Sequence, residues 1–308
     1  MKLNYKRTTL VGLAFLSICA FWQVYDNLIP LILKETFHVD DTLIGVVMAM
    51  DNVLALFMLP VFGKLSDRTR THIGRRMPYI VGGTLAAVVC LAVLPLAERQ
   101  NNLILFFVGL GCVLIAMATY RSPAGALMPD VTPKPLRSQG NAIINLMGAV
   151  GGILMLGTMQ VLLPSQVTGE VYRPNYLPIF AVLGVLMAVC IAILFWKIKE
   201  PACVQAMEEE SRQAGICADE ETSGPAGTGK KMPRAKARSF GFILASVFLW
   251  FMGYNAVTSG FSRYATQELK GSFSLILMVC TAVAIVAYLP VGAIAARIGR
   301  KKTILVGV

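Results

Sequence analysis

The chain has 308 residues, of which 56% are hydrophobic and 15% are charged, and its formal net charge is +11. Soluble domains carry about 25% charged residues, so this composition excludes a protein that lies mainly in water. The excess positive charge is confined to alternate loops between apolar runs, which excludes a continuous nucleic-acid-binding face.

The N-terminal "MKLNYKRTTL" is basic and leads into the apolar run Thr8–Tyr25 without a small-residue cleavage site. That pattern predicts a retained first span rather than a removed signal. The second apolar run, Thr42–Gly63, is interrupted only by Asp51, and five Lys/Arg follow within 64–76. Met77–Ala97, Gln100–Tyr120, Ser138–Gly169 and Pro174–Trp196 contain no Asp, Glu, Lys or Arg. A membrane-crossing helix needs about 20 predominantly apolar residues, and hydrocarbon tolerates no unpaired backbone, so such runs must be helices. Residues 1–198 are thus expected to form a six-span bundle. Residues 199–238, which contain "EEESRQAGICADEETSGPAGTGKK", have little to bury and are expected to form a flexible cytoplasmic linker. Ser239–Ser262 and Gly271–Ala296 are two further uncharged runs, giving eight expected spans. The closing "KKTILVGV" starts a ninth apolar segment, so 239–308 is expected to be part of a second bundle, truncated at its C-terminus. The expected fold class is an all-α integral membrane protein.

Loop charge orients the chain. The N-terminus, 64–76, 134–137, 197–238 and 297–302 together carry 22 Lys/Arg, and the opposite loops carry five. Positive loops stay on the cytoplasmic side, so a multi-pass protein of the plasma (inner) membrane with a cytoplasmic N-terminus is expected. The seven Cys are scattered, with no Cys-x-x-Cys, which argues against a disulfide framework or zinc site. No Ser/His pair, metal cluster or Gly-x-Ser-x-Gly suggests an enzyme.

The sequence repeats itself across the linker. "GKLSDRTRTHIGRR" from Gly63 is echoed by "GAIAARIGRKK" from Gly292, and Tyr25 and Asp26 by Tyr254 and Asn255, each pair 229 residues apart. Two copies in the same orientation imply halves related by an axis along the membrane normal. The first copy resembles the major facilitator signature Gly-x-x-x-Asp-Arg-x-Gly-Arg-Arg/Lys, with four extra residues between Arg68 and Gly74; in the second, Ala296 replaces the Asp. "FWQVYDNLIPLIL", "MAMDNVLALFMLP" and "RSPAGALMPDVTPKPLRSQGNAIINLMGAVGG" narrow the resemblance to the glycoside–pentoside–hexuronide:cation symporters, in the branch that includes sucrose transporters.

That resemblance implies a major facilitator fold and import of a sugar or glycoside coupled to H⁺ or a small cation, with no cofactor. The expected partners are a small-molecule substrate and the lipid bilayer, with no nucleic acid, and the protein is expected to be a monomer. The resemblance also implies a cytoplasmic gate of Gly63, Asp67, Arg68, Gly74, Arg75 and Arg76, with Arg297, Gly299 and Arg300 in the second copy. There the charges latch the two halves together. Their plainer role is topological anchoring, which accounts for the Lys/Arg but not for Asp67. Sodium-using members carry two Asp one turn apart low in span two, where this chain has Ala55 and Leu59. A single carboxylate suits H⁺ better than Na⁺.

Charges inside a bilayer are costly and mark function. At about 1.5 Å per residue, Asp26 lies about 9 Å and Asp51 about 3 Å outside the midplane, and Arg121 about 10 Å inside it. Asp51 is the first candidate proton carrier, with Asp26 sharing the proton or accepting sugar hydroxyls. At that depth Arg121 is too far from Asp26 to pair comfortably, although its long side chain reaches toward the central cavity; it is expected to bind a sugar hydroxyl, to pair with an acid during the cycle, or to snorkel to the inner interface. Asn52, Gln23, Tyr25, Asn255 and Tyr254 are further substrate-binding candidates. Trp22 and Trp250 are candidate stacking rings, for which helix packing is the plainer reading. Two other roles are open to such a body: an exporter of drugs or other small solutes, and a transporter-like sensor that moves nothing.

Overall fold

A computed structural model describes residues 3–163, 175–213, 234–268, 272–298 and 305–306. The regular structure among them is α-helical apart from one 3-10 turn at Lys134–Leu136. The helices are α1 (Tyr5–Glu35), α2 (Asp41–Arg68), α3 (Met77–Leu91), α4 (Val93–Arg99), α5 (Leu103–Asp130), α6 (Arg137–Leu162), α7 (Leu177–Lys197), α8 (Glu200–Gln213), α9 (Arg234–Gln267) and α10 (Phe273–Ile298).

Among the described residues six spans are long and apolar enough to cross a membrane, with α3 and α4 forming one of them over Met77–Arg99. The break between those two follows from Pro95, which has no N–H to donate to the Leu91 carbonyl one turn back. The seventh and eighth expected spans fall largely within α9 and α10, continuous helices of 34 and 26 residues. All six of those membrane-length spans lie before residue 198.

Helix starts are written locally. The Asn4, Asp40 and Asn102 side chains accept from the backbone N–H groups of Arg7, Thr42 and Leu105, at 3.1, 3.0 and 3.0 Å. Each satisfies a donor that the first helical turn leaves open.

The expectation of a flexible linker over 199–238 does not hold at its start, because Glu200–Gln213 is helix α8. It does not hold at its end either, because α9 begins at Arg234. Residues 214–233 lie outside the described residues. Composition misled here because a polar helix needs only one buried edge: Glu200 is 1% exposed, and Cys203 and Val204 pack against the core.

α1 is the core helix. It packs most extensively on α6 and also touches α2, α5, α7 and α9. The α1–α6 crossing is made by small residues. A Cβ on Gly151 would run into the Leu16 carbonyl oxygen, and one on Gly148 would come within 2.7 Å of the Cys19 sulfur. Without a hydrophobic effect between helices in lipid, such close backbone approach is the main source of association. α2 is the opposite case: 17% of its apolar segment is buried against 61% for α1. Its Leu56 and Phe57 point outward.

α6 and the start of α10 are also joined by polar contacts. Gln160, near the end of α6, accepts hydrogen bonds from Ser272 and Ser274 at the start of α10, the latter at 2.7 Å.

Gly151→Ala is expected to destabilise the protein by ~1–3 kcal/mol, the usual cost of overpacking a tight contact. Gly157→Ala, where nothing lies within 4 Å of the new Cβ, is the neutral control. Thermal unfolding in detergent micelles checks both.

Candidate functional site

Two polar regions occupy the first bundle. The first is a narrow cleft between α1, α2 and α5. α2 contributes Asp51, Leu54, Ala55 and Leu59, spaced at three, four and eight residues and therefore on one helical face. α5 contributes Leu114, Ala118 and Arg121 on the same principle, and α1 contributes Trp22.

The Arg121 guanidinium lies over the Trp22 ring, 5.0 Å from its centroid. It forms no ion pair with any described residue. Trp22 is held by two edge contacts, to Phe21 at 5.2 Å and to Tyr25 at 5.3 Å between centroids. One carboxylate oxygen of Asp51 accepts from the Asn52 backbone N–H at 2.6 Å and from its side-chain amide at 2.8 Å. Asp26, one turn beyond Trp22, is within electrostatic range of both Asp51 and Arg121. Arg121 pairs with neither Asp26 nor Asp51. Counting rise per residue places the Cα, whereas the long Arg side chain climbs to the α1 ring.

α1, which borders the cleft through Trp22, also has unmet hydrogen-bonding capacity. Trp22 Nε1, the Tyr25 hydroxyl and Asn27 Oδ1 are buried without a protein partner. Such groups are costly unless water or a ligand meets them. Trp22 and Tyr25 share one face of α1 with Asp26.

The other candidates are placed differently. Gln23 turns toward α6, its Oε1 standing 3.5 Å from where a Gly152 Cβ would be. Asn52 is exposed and committed to Asp51. Tyr254 stacks on Trp250 at 5.4 Å, and the Asn255 carbonyl accepts from Thr258. Neither Tyr254 nor Asn255 lines the cleft. The cleft thus holds Asp51 and Arg121, with Asn52 bonded to Asp51 and Tyr25 against the edge of Trp22, whereas Gln23, Tyr254 and Asn255 do not line it.

The second region is the end of the bundle that carries the signature. Arg76, 6% exposed, pairs with Asp67 at 2.6 Å and with Asp130 at 2.9 Å, and donates to the Ser66 hydroxyl at 2.7 Å. Arg75 joins Asp130 at 3.1 Å. The Glu200 carboxylate accepts from the backbone N–H groups of Arg75, Arg76 and Met77 at 2.9–3.1 Å. α3 has no side-chain cap of its own, so Glu200 at the start of α8 caps it, where a carboxylate also meets the positive end of the helix dipole. Gly74 has φ +124°, and a Cβ there would strike the Glu200 carboxylate, so only glycine fits. Gly63 lets α2 approach Ser122 of α5, 3.0 Å from the missing Cβ.

Arg68 is exposed and makes no ion pair with a described residue. Among the described residues the cluster's ion pairs stay within α2, α5 and the α2–α3 loop. Of the second copy, Arg297 lies in the last turn of α10, and Gly299 and Arg300 lie outside the described residues. Asp130 and Glu200 are missing from the sequence-derived site. Their only local signal is an acid just past an apolar run; their partners are 54 and 124 residues away.

The chain matches the family model described as Major Facilitator Superfamily over residues 11–308. It is 26% identical over 178 residues to the lactose permease of Lactobacillus helveticus. That match covers 53% of this chain and 28% of the permease, so the chain aligns with under a third of that relative.

Glu200→Ala would leave three backbone donors unmet and is expected to cost about 1–3 kcal/mol. Glu209→Ala, on the exposed face of α8, should stay within about 0.5 kcal/mol. Thermal midpoints in detergent distinguish the two.

Proposed function

The chain belongs to the Major Facilitator Superfamily, and from that premise we propose that it is the substrate-translocating part of a proton-coupled sugar or glycoside symporter. It belongs on this reading to the glycoside–pentoside–hexuronide:cation branch. A six-span unit over 1–198 works against a second unit that begins at 239, with 199–238 connecting them at the cytoplasmic face. The protein sits in the plasma (inner) membrane as a monomer with its N-terminus inside.

The observation that carries this reading is the cleft, where an acid and a base meet unpaired across three helices beside unsatisfied donors. Intramembrane ionisable residues facing a cavity are functional by default. A polyhydroxylated ligand supplies the hydroxyls that Trp22 Nε1, the Tyr25 hydroxyl and Arg121 lack. The partial similarity to a lactose permease supports a sugar. Ala55 and Leu59 lie in this cleft, at the positions where the sodium-using relatives carry their acid pair. They offer no oxygen ligand, which favours H⁺ on Asp51 over Na⁺. Asp26, in electrostatic contact with Asp51, shares the proton.

In this reading the Asp67–Arg76–Asp130 cluster keeps the cytoplasmic end of the first unit rigid. Asp67, whose side chain is 55% exposed, is the member able to engage the second unit.

Cells expressing the full-length protein are expected to alkalinise a weakly buffered medium when given sucrose, maltose, trehalose or lactose, and to accumulate the labelled sugar. Asp51→Asn should reduce accumulation to passive equilibration. Alkalinisation unchanged in that variant would overturn the assignment of Asp51, and proton-driven efflux of cationic dyes without sugar uptake would replace the symporter with an exporter. Asp67→Asn is expected to slow uptake several-fold with membrane insertion unchanged, as surface biotinylation checks; full uptake in that variant rules out a gating role.

A further inference from the structure

The cations between α2 and α3 fall into two sets. Arg75 and Arg76 turn onto Asp67 and Asp130. Lys64, Arg68, Arg70 and His72 are exposed, and none of the four forms an ion pair or hydrogen bond with a described residue. The two acids at this end of α2 and α5 are thus engaged by the inner set, and the outer set is left without a counter-charge.

Topological anchoring accounts for the number of these cations but not for their arrangement. Lys64 and Arg68 are four residues apart on α2. Phe57 precedes Lys64 by seven residues, and Val53, Met50 and Val46 follow back along the helix at steps of four, three and four. At about 100° per residue these six positions share one narrow arc of α2. The four apolar members are 49–66% exposed. Asp51 and Ala55 point from another side of α2 into the cleft. From Val53 to Lys64 the helix rises about 16 Å, close to the depth of one hydrocarbon leaflet. An exposed apolar stripe one leaflet deep therefore ends in unpaired cations.

The loop beyond Arg68 adds an apolar tip. It turns at Thr71–Gly74, where the Gly74 N–H donates to the Thr71 carbonyl at 3.0 Å. His72 and Ile73 occupy the two corner positions, and Ile73 is 47% exposed. Exposed apolar surface rimmed by charge marks an interaction site.

We propose that this surface docks an anionic phospholipid of the cytoplasmic leaflet. Its phosphate sits among Lys64, Arg68 and Arg70, an acyl chain lies along Phe57 and Val53, and Ile73 enters the interface beside it. An acidic cytoplasmic protein would reach the cations but not the stripe. A further apolar span would cover the stripe and leave the cations without an anion. A phospholipid meets both. The docking depends on neither the sugar nor the proton reading.

The test titrates the full-length protein in detergent with phosphatidylglycerol and, separately, with phosphatidylcholine of the same chains, and follows bound lipid by native mass spectrometry. Phosphatidylglycerol should bind the more tightly, and the preference should shrink as salt is raised. Arg70→Gln should weaken phosphatidylglycerol about fivefold, and Lys64→Gln with Arg70→Gln roughly 25-fold, the size expected for basic residues at an anionic surface. Phosphatidylcholine binding should not change. Lys197→Gln with Lys199→Gln, which removes two other exposed cations, should bind phosphatidylglycerol as the parent does. Glycerol 3-phosphate at matched concentration should not displace the lipid, because it lacks the chains that the stripe holds.

Phosphatidylglycerol should also raise the thermal midpoint of the parent above that in phosphatidylcholine, and Arg70→Gln should reduce the difference. Equal binding of the two lipids by the parent overturns the proposal, as a further span or a second copy would then cover the surface. So does a loss in the Lys197/Lys199 variant as large as in the Lys64/Arg70 variant, which would make the attraction diffuse. Displacement by glycerol 3-phosphate would reduce the site to one for free phosphate and overturn the lipid.

Discussion

A charge taken out of water must find an opposite charge, a set of hydrogen bonds or a wet cleft. Every polar feature of this bundle can be sorted by which of these it found. Arg76 found the first two: two carboxylates and a serine hydroxyl surround it at 6% exposure. Glu200 found three backbone donors. Arg121 found only the face of a ring. That difference separates what holds the bundle from what is available for work.

The satisfied cluster is a joint. It ties the end of α2 to the end of α5 through Arg76 and caps the start of α3 with a carboxylate from α8. Removing one partner from such a network exposes the full desolvation cost of the other. The cleft is the reverse arrangement. Its buried indole N–H and phenol hydroxyl have no partner, and its one cation stands off two nearby acids. A stable fold keeps such unmet groups only where water or a ligand completes them, and the rigid joint at one end lets the cleft stay incomplete.

The glycine-lined crossing of α1 and α6 connects the two. With the Gly151 backbone against the Leu16 carbonyl, α1 sits deep in the bundle and delivers Trp22 to the space between α2 and α5. The same contact turns Gln23 toward Gly152 and away from the cleft. Which neighbours on α1 face the site is thus decided by which of its faces is small enough to pack.

The sequence by itself determined the helices, their approximate ends and the in-membrane charges, because lipid forbids unpaired backbone and unsolvated charge, and both constraints act along one chain segment. It also marked Asp51, Asp26 and Arg121 as residues out of place in oil. Only the tertiary structure decided which side chains meet. It set Arg121 on Trp22, committed Asn52 to Asp51, and made Glu200, in a stretch that composition assigns to a tether, the cap of a helix 123 residues away. The physical reason is range: burial and backbone pairing are properties of a local stretch, whereas a partner for a side chain is chosen by helix packing, which joins positions that no local pattern connects.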